Sequence, residues 1–341
     1  MGACLCASGL HARSPERPWR IDVHHHYGSP AYTAFGTAYP SAGLPPSPPN
    51  DIQRSLADME QSGTALAVLS SFVPATGGTA ADRRALARAI NEHGAGLVQR
   101  HPGRFALFPA LPLPDVDASL GELAYGLDAL GAVGATVYTE AAGKYLGDPA
   151  FAPLMEELDR RAAVLFVHPH TDACCGRLVP GVPDSVIEFG TSTTRCIASL
   201  LFGGAVDRYP RIRFVFSHGG GTMPFLIERF LGGARAEIVP GITTVGQSGN
   251  VTLAQPKGGA LAALRRFHYD TAQIANPVAL RALAQVVPAS RILYGTDSWF
   301  RSSVESAGGL EDARVFGGGE RRAIGRDNAL ALIPSLVKTL G

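Results

Sequence analysis

At 341 residues, 46% of them hydrophobic and 17% charged, the chain has the composition of a globular protein and the length of one large domain or two small ones. Thirty basic against 29 acidic side chains leave a formal charge of +1, with no electrostatic footprint of a nucleic-acid or membrane-surface binder. No apolar run approaches the roughly 18 residues that a membrane span needs.

Residues 1–18 (MGACLCASGLHARSPERP) have no basic segment ahead of an apolar one, and Cys6 stands where a myristoylation signal needs Ser or Thr. They read as a disordered leader, followed by a single domain over 19–341. Short β-branched or aromatic runs then alternate with longer Ala/Leu/Arg-rich ones. Strands are expected over Arg20–His24, Ala65–Ser70, Arg104–Pro109, Gly134–Tyr138, Val164–His168, Arg211–Ser217, Phe267–Thr271 and Arg291–Gly295. Several are continuous apolar runs (ALAVLS, VLFVH, IRFVFSH), as in strands buried on both faces of a parallel sheet.

Helices are expected between them over Ala81–Arg100, Ala118–Leu130, Ala150–Ala162, Thr191–Tyr209, Pro224–Leu231 and Pro277–Val286, and from Glu320 towards Leu340. Eight strands alternating with helices predict a (β/α)8 TIM barrel. A doubly wound open sheet would bring a Gly-rich phosphate turn after the first strand, where this chain has HHHYGSP. Pro-rich Tyr39–Asn50 and Gly/Thr/Gln-rich Val239–Leu261 read as loop insertions at the C-terminal face, placed to be lids or inert surface.

The five cysteines (Cys4, Cys6, Cys174, Cys175, Cys196) are odd in number and unevenly spaced, which argues against a disulfide framework and fits a reducing cytoplasm. Cys174 and Cys175 lie near His168 and His170 but lack the C-x-x-C spacing of zinc–thiolate sites.

Chemistry-bearing residues interrupt the apolar strands at their ends: His24-His25-His26 at the first, His168 at the fifth, His218 at the sixth and Asp297 at the eighth. Alternate strand residues share a face, so His24 and His26 can point inward together while His25 points away. Singly, each has a plain structural explanation: a solvated turn for HHH, a strand-end histidine for His168, a cap for His218 or Asp297. All four on one barrel rim make a metal site, with neutral imidazoles suited to a transition ion such as zinc. The remaining histidines His11, His93, His101 and His268 read as surface or packing residues, and His170 as a minor candidate.

The motifs D-x-H-x-H (Asp22, His24, His26), F-V-H-P (Phe166 to Pro169), S-H-G-G-G (Ser217 to Gly221) and G-T-D (Gly295 to Asp297) resemble the amidohydrolase superfamily. More narrowly they resemble the branch containing aminocarboxymuconate-semialdehyde, γ-resorcylate and 6-methylsalicylate decarboxylases. The resemblance implies His24, His26, His168 and Asp297 as ligands of one divalent ion, zinc first and manganese second. It also implies His218 as general acid/base, and Arg229 as an arginine that reaches a neighbouring subunit's substrate carboxylate, hence a homodimer or larger homo-oligomer. Asp22 is expected either to support the H-x-H pair from behind or to be a strand-end residue that precedes it. The fourth strand (GATVYTE) has no lysine and Glu140 falls beyond its end, which favours a mononuclear centre.

Two reactions suit that centre. In hydrolysis of an amide, ester or lactone the metal lowers the pKa of its water from about 15.7 to about 7, and His218 or Asp297 manages protons. In non-oxidative decarboxylation the metal holds a substrate oxygen and His218 protonates the ring carbon as CO2 leaves. The motif subtype resembles the decarboxylases, so the expected substrate is a small aromatic or enolic carboxylate of the salicylate type. A structural-zinc barrel would fill every metal position with protein ligands and leave His218 without a task. Tyr27, Tyr32, Phe72, Trp299 and Phe300 follow strand ends and can stack on a ring, though such aromatics are also core plugs. Arg195 and Arg301 offer forks for a carboxylate.

Overall fold

The computed structural model describes residues 18–42, 44, 52–235 and 254–340. Residues 1–17, with Cys4, Cys6 and His11, lie outside the described residues, as do most of the 39–50 insertion and positions 239–253 of the second one.

Eight parallel strands run in chain order: β1 (Arg20–His26), β2 (Thr64–Ser70), β3 (Phe105–Phe108), β4 (Ala135–Tyr138), β5 (Val164–His168), β6 (Arg213–Phe216), β7 (His268–Asp270) and β8 (Ile292–Leu293). Ladders join β1-β2-β3 and β4-β5-β6-β7-β8, each strand beside its sequence neighbour. Two seams complete the ring. Thr136 N donates to Pro109 O at 2.9 Å between β3 and β4, while Val23 N donates to Tyr294 O and Asp297 N to His24 O, both at 3.0 Å, between β8 and β1. The expected (β/α)8 arrangement is therefore present.

The apolar runs form strands because both faces are covered. Ile21, Val23, Leu66, Val68, Phe108, Phe166, Val215 and Leu293 fill the barrel interior, whose floor is closed by Leu332, Ile333 and Leu336. The outward side chains of the same strands, Leu165, Val167 and Phe216 among them, pack on helix residues such as Leu154, Leu158, Ile197 and Leu200. Burying each such side chain is worth about 1.5–3 kcal/mol.

Local signals place the helices. Thr79 and Asp82 form a reciprocal capping box at Ala80–Arg100, and Asn276 caps Pro277–Val286 with Pro277 in its first turn. A helix not anticipated, Pro30–Ala38, starts directly after HHHYGS because Ser29 accepts from Tyr32 N and Pro30 suits the first helical position. The expected helix Thr191–Tyr209 instead runs over Glu188–Phe202. It stops at Gly203 and Gly204, the latter left-handed at φ 78°, before a single turn at Ala205–Arg208. The C-terminal segment is not one helix but four pieces from Gly318 to Leu340, and Pro334 separates the last two.

Cys174 and Cys175 are bonded to each other, a pairing not anticipated by the case against a disulfide framework. A bond between chain neighbours ties no separate elements together. Among the described residues no helix is long and apolar enough to cross a membrane.

Candidate metal centre

The strand order brings His24 and His26 (end of β1), His168 (end of β5), His218 (after β6), Asp270 (end of β7) and Asp297 (after β8) to one rim. Three side chains turn inward only through left-handed backbone: His218, Gln273 and Asp297 have φ of 53°, 56° and 59°. Such conformations cost on the order of 1 kcal/mol and gather at functional sites. Two glycines of the motifs are steric requirements. A Cβ at Gly221 would stand 2.1 Å from Gly190 O, and one at Gly295 would meet Asp270 Cβ at 2.9 Å and His24 Cβ at 3.0 Å.

The donor atoms converge. His24 Nε2 lies 3.1 Å from His26 Nε2. Asp297 Oδ1 lies 3.3 Å from His24 Nε2 and 2.9 Å from His26 Nε2, and His218 Nε2 stands 3.3 Å from Asp297 Oδ2. The His168 ring centroid is 5.0 Å from those of both His24 and His26. Candidate ligand atoms of His24, His168, His218 and Asp297 all fall within 4.8 Å of one another.

Hydrogen bonds fix the tautomers. His24 Nδ1 faces Asp270 Oδ2 at 2.7 Å, and His168 Nδ1 donates to Pro169 O at 2.7 Å. In its neutral form each ring therefore keeps the Nε2 lone pair for the centre. His168 Nε2 is buried without any hydrogen-bond partner, and Asp297 Oδ1 accepts no hydrogen bond of good geometry. Orphaned buried donors and acceptors are costly. Lone pairs crowded to about 3 Å are what one ion with bonds of about 2.0–2.1 Å would collect. The residues present fit a single divalent metal ion.

Charge follows the same plan. Burial, reinforced by the neighbouring histidines, holds the His168 imidazole well below its ordinary range. Burial alone would raise the Asp297 carboxyl, but His24, His218 and His26 outweigh it and keep it ionised. Burial opposes protonation of His24, and the Asp270 and Asp297 carboxylates reverse that, raising it to about 10. His26 is lowered, chiefly by burial. His26, His168 and Asp297 are thus already in the ionisation states that metal binding needs, whereas His24 must release a proton when an ion binds.

Asp22 supports the H-x-H pair through the His24 backbone and not through a ring of the pair. Its carboxylate accepts from His24 N, Thr296 N and Thr296 Oγ1 and faces His25 Nδ1 at 3.1 Å, which pins β1 to β8 and turns His25 away. The carboxylate behind the His24 ring is Asp270, which sequence reasoning missed. Gln273, which donates to Asp297 Oδ2, was missed as well. The rule that singled out His168 and Asp297, a polar residue closing an apolar run, has little to act on at Asp270, whose strand is only His268–Asp270.

Above the centre opens a cavity of about 680 Å³, whose wall includes His26, His168, Gln273 and Asp297. Phe72 and Tyr138 stack with centroids 4.6 Å apart, and Tyr27, Tyr32, Phe189 and Phe300 also reach the wall. Of the expected aromatics Trp299 is not there: its ring lies beneath the Arg54 guanidinium, 4.8 Å away. Arg301 is exposed beside Glu305, Arg195 is engaged by Asp172 and Cys175, and Arg229 is exposed on the helix Ile227–Arg235, all three outside the wall. Ala42 and Leu44 bring the first insertion to the mouth.

A second group, Glu140, His170 and Asp172, flanks the cavity. Its acceptors are already engaged: Glu140 by Gly143 N and His170, Asp172 by Tyr145, Ser192 and Arg195. Unlike His168 Nε2, these groups already have hydrogen-bond partners.

The family model described as Amidohydrolase matches residues 21–334, and the chain belongs to that family. It is 34% identical over 340 residues to the decarboxylase yanB of Aspergillus niger, covering 92% of this chain and 87% of that protein. It is 32% identical over 287 residues to the 6-methylsalicylic acid decarboxylase of Penicillium expansum, covering 82% and 84%. In fold it resembles the 5-carboxyvanillate decarboxylase of Novosphingobium aromaticivorans, solved with manganese and 4-hydroxy-3-methoxy-5-nitrobenzoic acid. The TM-score is 0.80 at 20% identity, with 93% of this chain and 96% of the other covered.

Proposed function

We propose that the protein is a metal-dependent, non-oxidative decarboxylase of a small aromatic or enolic carboxylic acid of the salicylate type. The observation that carries this reading is the partnerless His168 Nε2 and the Asp297 carboxylate at the wall of an aromatic-lined cavity. The names of the two relatives at 34% and 32% identity support the reaction class.

His24, His26, His168 and Asp297 would hold the ion. When bound, it supplies a Lewis acid that holds and neutralises a substrate oxygen. Zinc suits the three-imidazole, one-carboxylate set, with manganese the competing ion. Phe72 and Tyr138 orient the ring by stacking. His218, held through its backbone N–H by Asp270 Oδ1 and through Nε2 by Asp297, carries the proton. It delivers that proton to the ring carbon bearing the carboxylate. The bond from that carbon to the carboxyl carbon then breaks, its electron pair stays on the ring, and CO2 departs. A positioned acid of this kind contributes about 10²–10⁴-fold.

Arg229, exposed and not part of this chain's own cavity wall, serves the substrate carboxylate of a second copy, so the working form is a homodimer or a larger homo-oligomer. A cytoplasmic location is supported by the uneven cysteine spacing and by the lack, among the described residues, of a disulfide joining separate elements. The test is a panel of salicylate-type acids incubated with metal-loaded enzyme while released CO2 is measured. Release from at least one acid is expected. A silent panel together with turnover of lactones or amides would replace decarboxylation by hydrolysis.

A further inference from the structure

At the other end of the barrel, where strands β6 and β7 begin and β8 is entered, lies a separate cavity of about 480 Å³. Arg213, Arg266, Arg291 and His268 line it together with Tyr209 and Leu332.

These three guanidinium groups are poorly neutralised. Arg213 spends its donors on backbone carbonyls, those of Ala162 and Leu332. Arg291 donates to His268 Nε2 at 3.1 Å, which requires that nitrogen to be unprotonated. Only Arg266 meets a carboxylate among the described residues, Asp207 at 3.3 Å, and its other contacts are the carbonyls of Val206 and Pro210. Burial lowers Arg213 from its ordinary value, and burial with Arg291 alongside brings His268 down to about 4. Tyr209 Oη, moreover, is buried without a hydrogen-bond partner.

Three cations around one hollow repel each other, and partly buried charge without a counter-charge is costly. An oxyanion removes both penalties. The planar guanidinium fork matches phosphate and carboxylate oxygens two at a time. The volume falls in the roughly 300–1,000 Å³ range of small-molecule sites. Tyr209 and Leu332 give an apolar surface for the body of such a molecule.

We propose that this cavity binds a small anionic molecule through a phosphate or carboxylate group held by Arg213, Arg266 and Arg291. The site is distinct from the metal centre, at the opposite end of strands whose other ends lead to His218, Asp270 and Asp297. A ligand here joins the starts of three strands to the C-terminal segment that closes the barrel.

The test is calorimetric titration of the full chain at constant ionic strength, with inorganic phosphate and with salicylate as separate probes. Each is run on metal-loaded and on chelator-stripped protein. Saturable binding of at least one probe is expected in both forms. Arg291→Gln should weaken it about tenfold or more, as loss of a charged hydrogen-bonding partner does, with metal content unchanged. Binding of phosphate alone assigns a phosphate ligand, and binding of salicylate alone a carboxylate one. Should Arg291→Gln fail to fold, Arg291→Lys, which keeps the charge and loses the fork, should also weaken binding. The proposal is overturned if neither probe binds, if binding disappears with the metal, or if the Arg291 variant binds as the wild type does.

Discussion

His24 depends on a residue 246 positions away: the Asp270 carboxylate that fixes its Nδ1 at 2.7 Å also accepts from His218 N. One side chain thus orients both a candidate metal donor and the candidate proton carrier. Asp270→Asn should fold and keep the same donor atoms, yet bind metal about 10–100-fold more weakly, as loss of such support does. Competition against a chelator of known affinity measures it, and wild-type affinity would remove Asp270 from this role. His268 makes a different prediction, for stability. Its folded pKa of about 4 lies below the ordinary 6.5, through burial and the nearby Arg291. The unfolded chain therefore binds the extra proton between those values. This contribution is complete above about pH 6.5 and is lost as pH falls towards 4, by on the order of 3 kcal/mol at most. Urea unfolding across that range should show the fall, and His268→Gln should flatten it.

Strand ends were legible because an apolar run that stops at His or Asp stands out, as VLFVH does before Pro169 and RILYGTD does at Asp297. Strand β7 is only three residues long, so its closing Asp270 has almost no run to stand out from. Gln273 owes its place to a left-handed turn, at φ 56°, that composition does not announce. Trp299 failed as a mouth residue for a related reason. Its backbone is left-handed at φ 89°, and its ring pairs with Arg54 instead. Glycines, by contrast, carry information that the motif shares with the structure. Gly295→Ala would press a methyl against His24 and Asp270 at about 3 Å. It should destabilise the protein by about 1–3 kcal/mol and lower metal occupancy at the same time. Thermal unfolding and metal analysis of the variant would check both, and full occupancy at wild-type stability would contradict the steric argument.

At the scale of the molecule, the barrel separates its ends: the C-terminal strand ends hold the candidate metal donors, while the C-terminal segment closes the floor with Leu332, Ile333 and Leu336. The chain alternation that predicts eight strands needs no knowledge of the site, which is why the strand order was legible while several helices were not. Which surfaces meet a second copy is not written in such periodicity. If Arg229 completes a neighbour's site, Arg229→Ala should raise KM about tenfold or more for a carboxylate substrate, and sedimentation should give the mass of at least two chains. A monomer with unchanged KM would end that assignment. The account as a whole rests on which bond breaks. Proton NMR of a salicylate-type acid incubated with metal-loaded enzyme in D2O reads this directly. The account predicts a decarboxylated ring with one deuterium on the carbon that bore the carboxylate, formed by the wild type and about 10²-fold or more slower by metal-retaining His218→Asn. Acids that remain intact while an ester, lactone or amide is cleaved would contradict it.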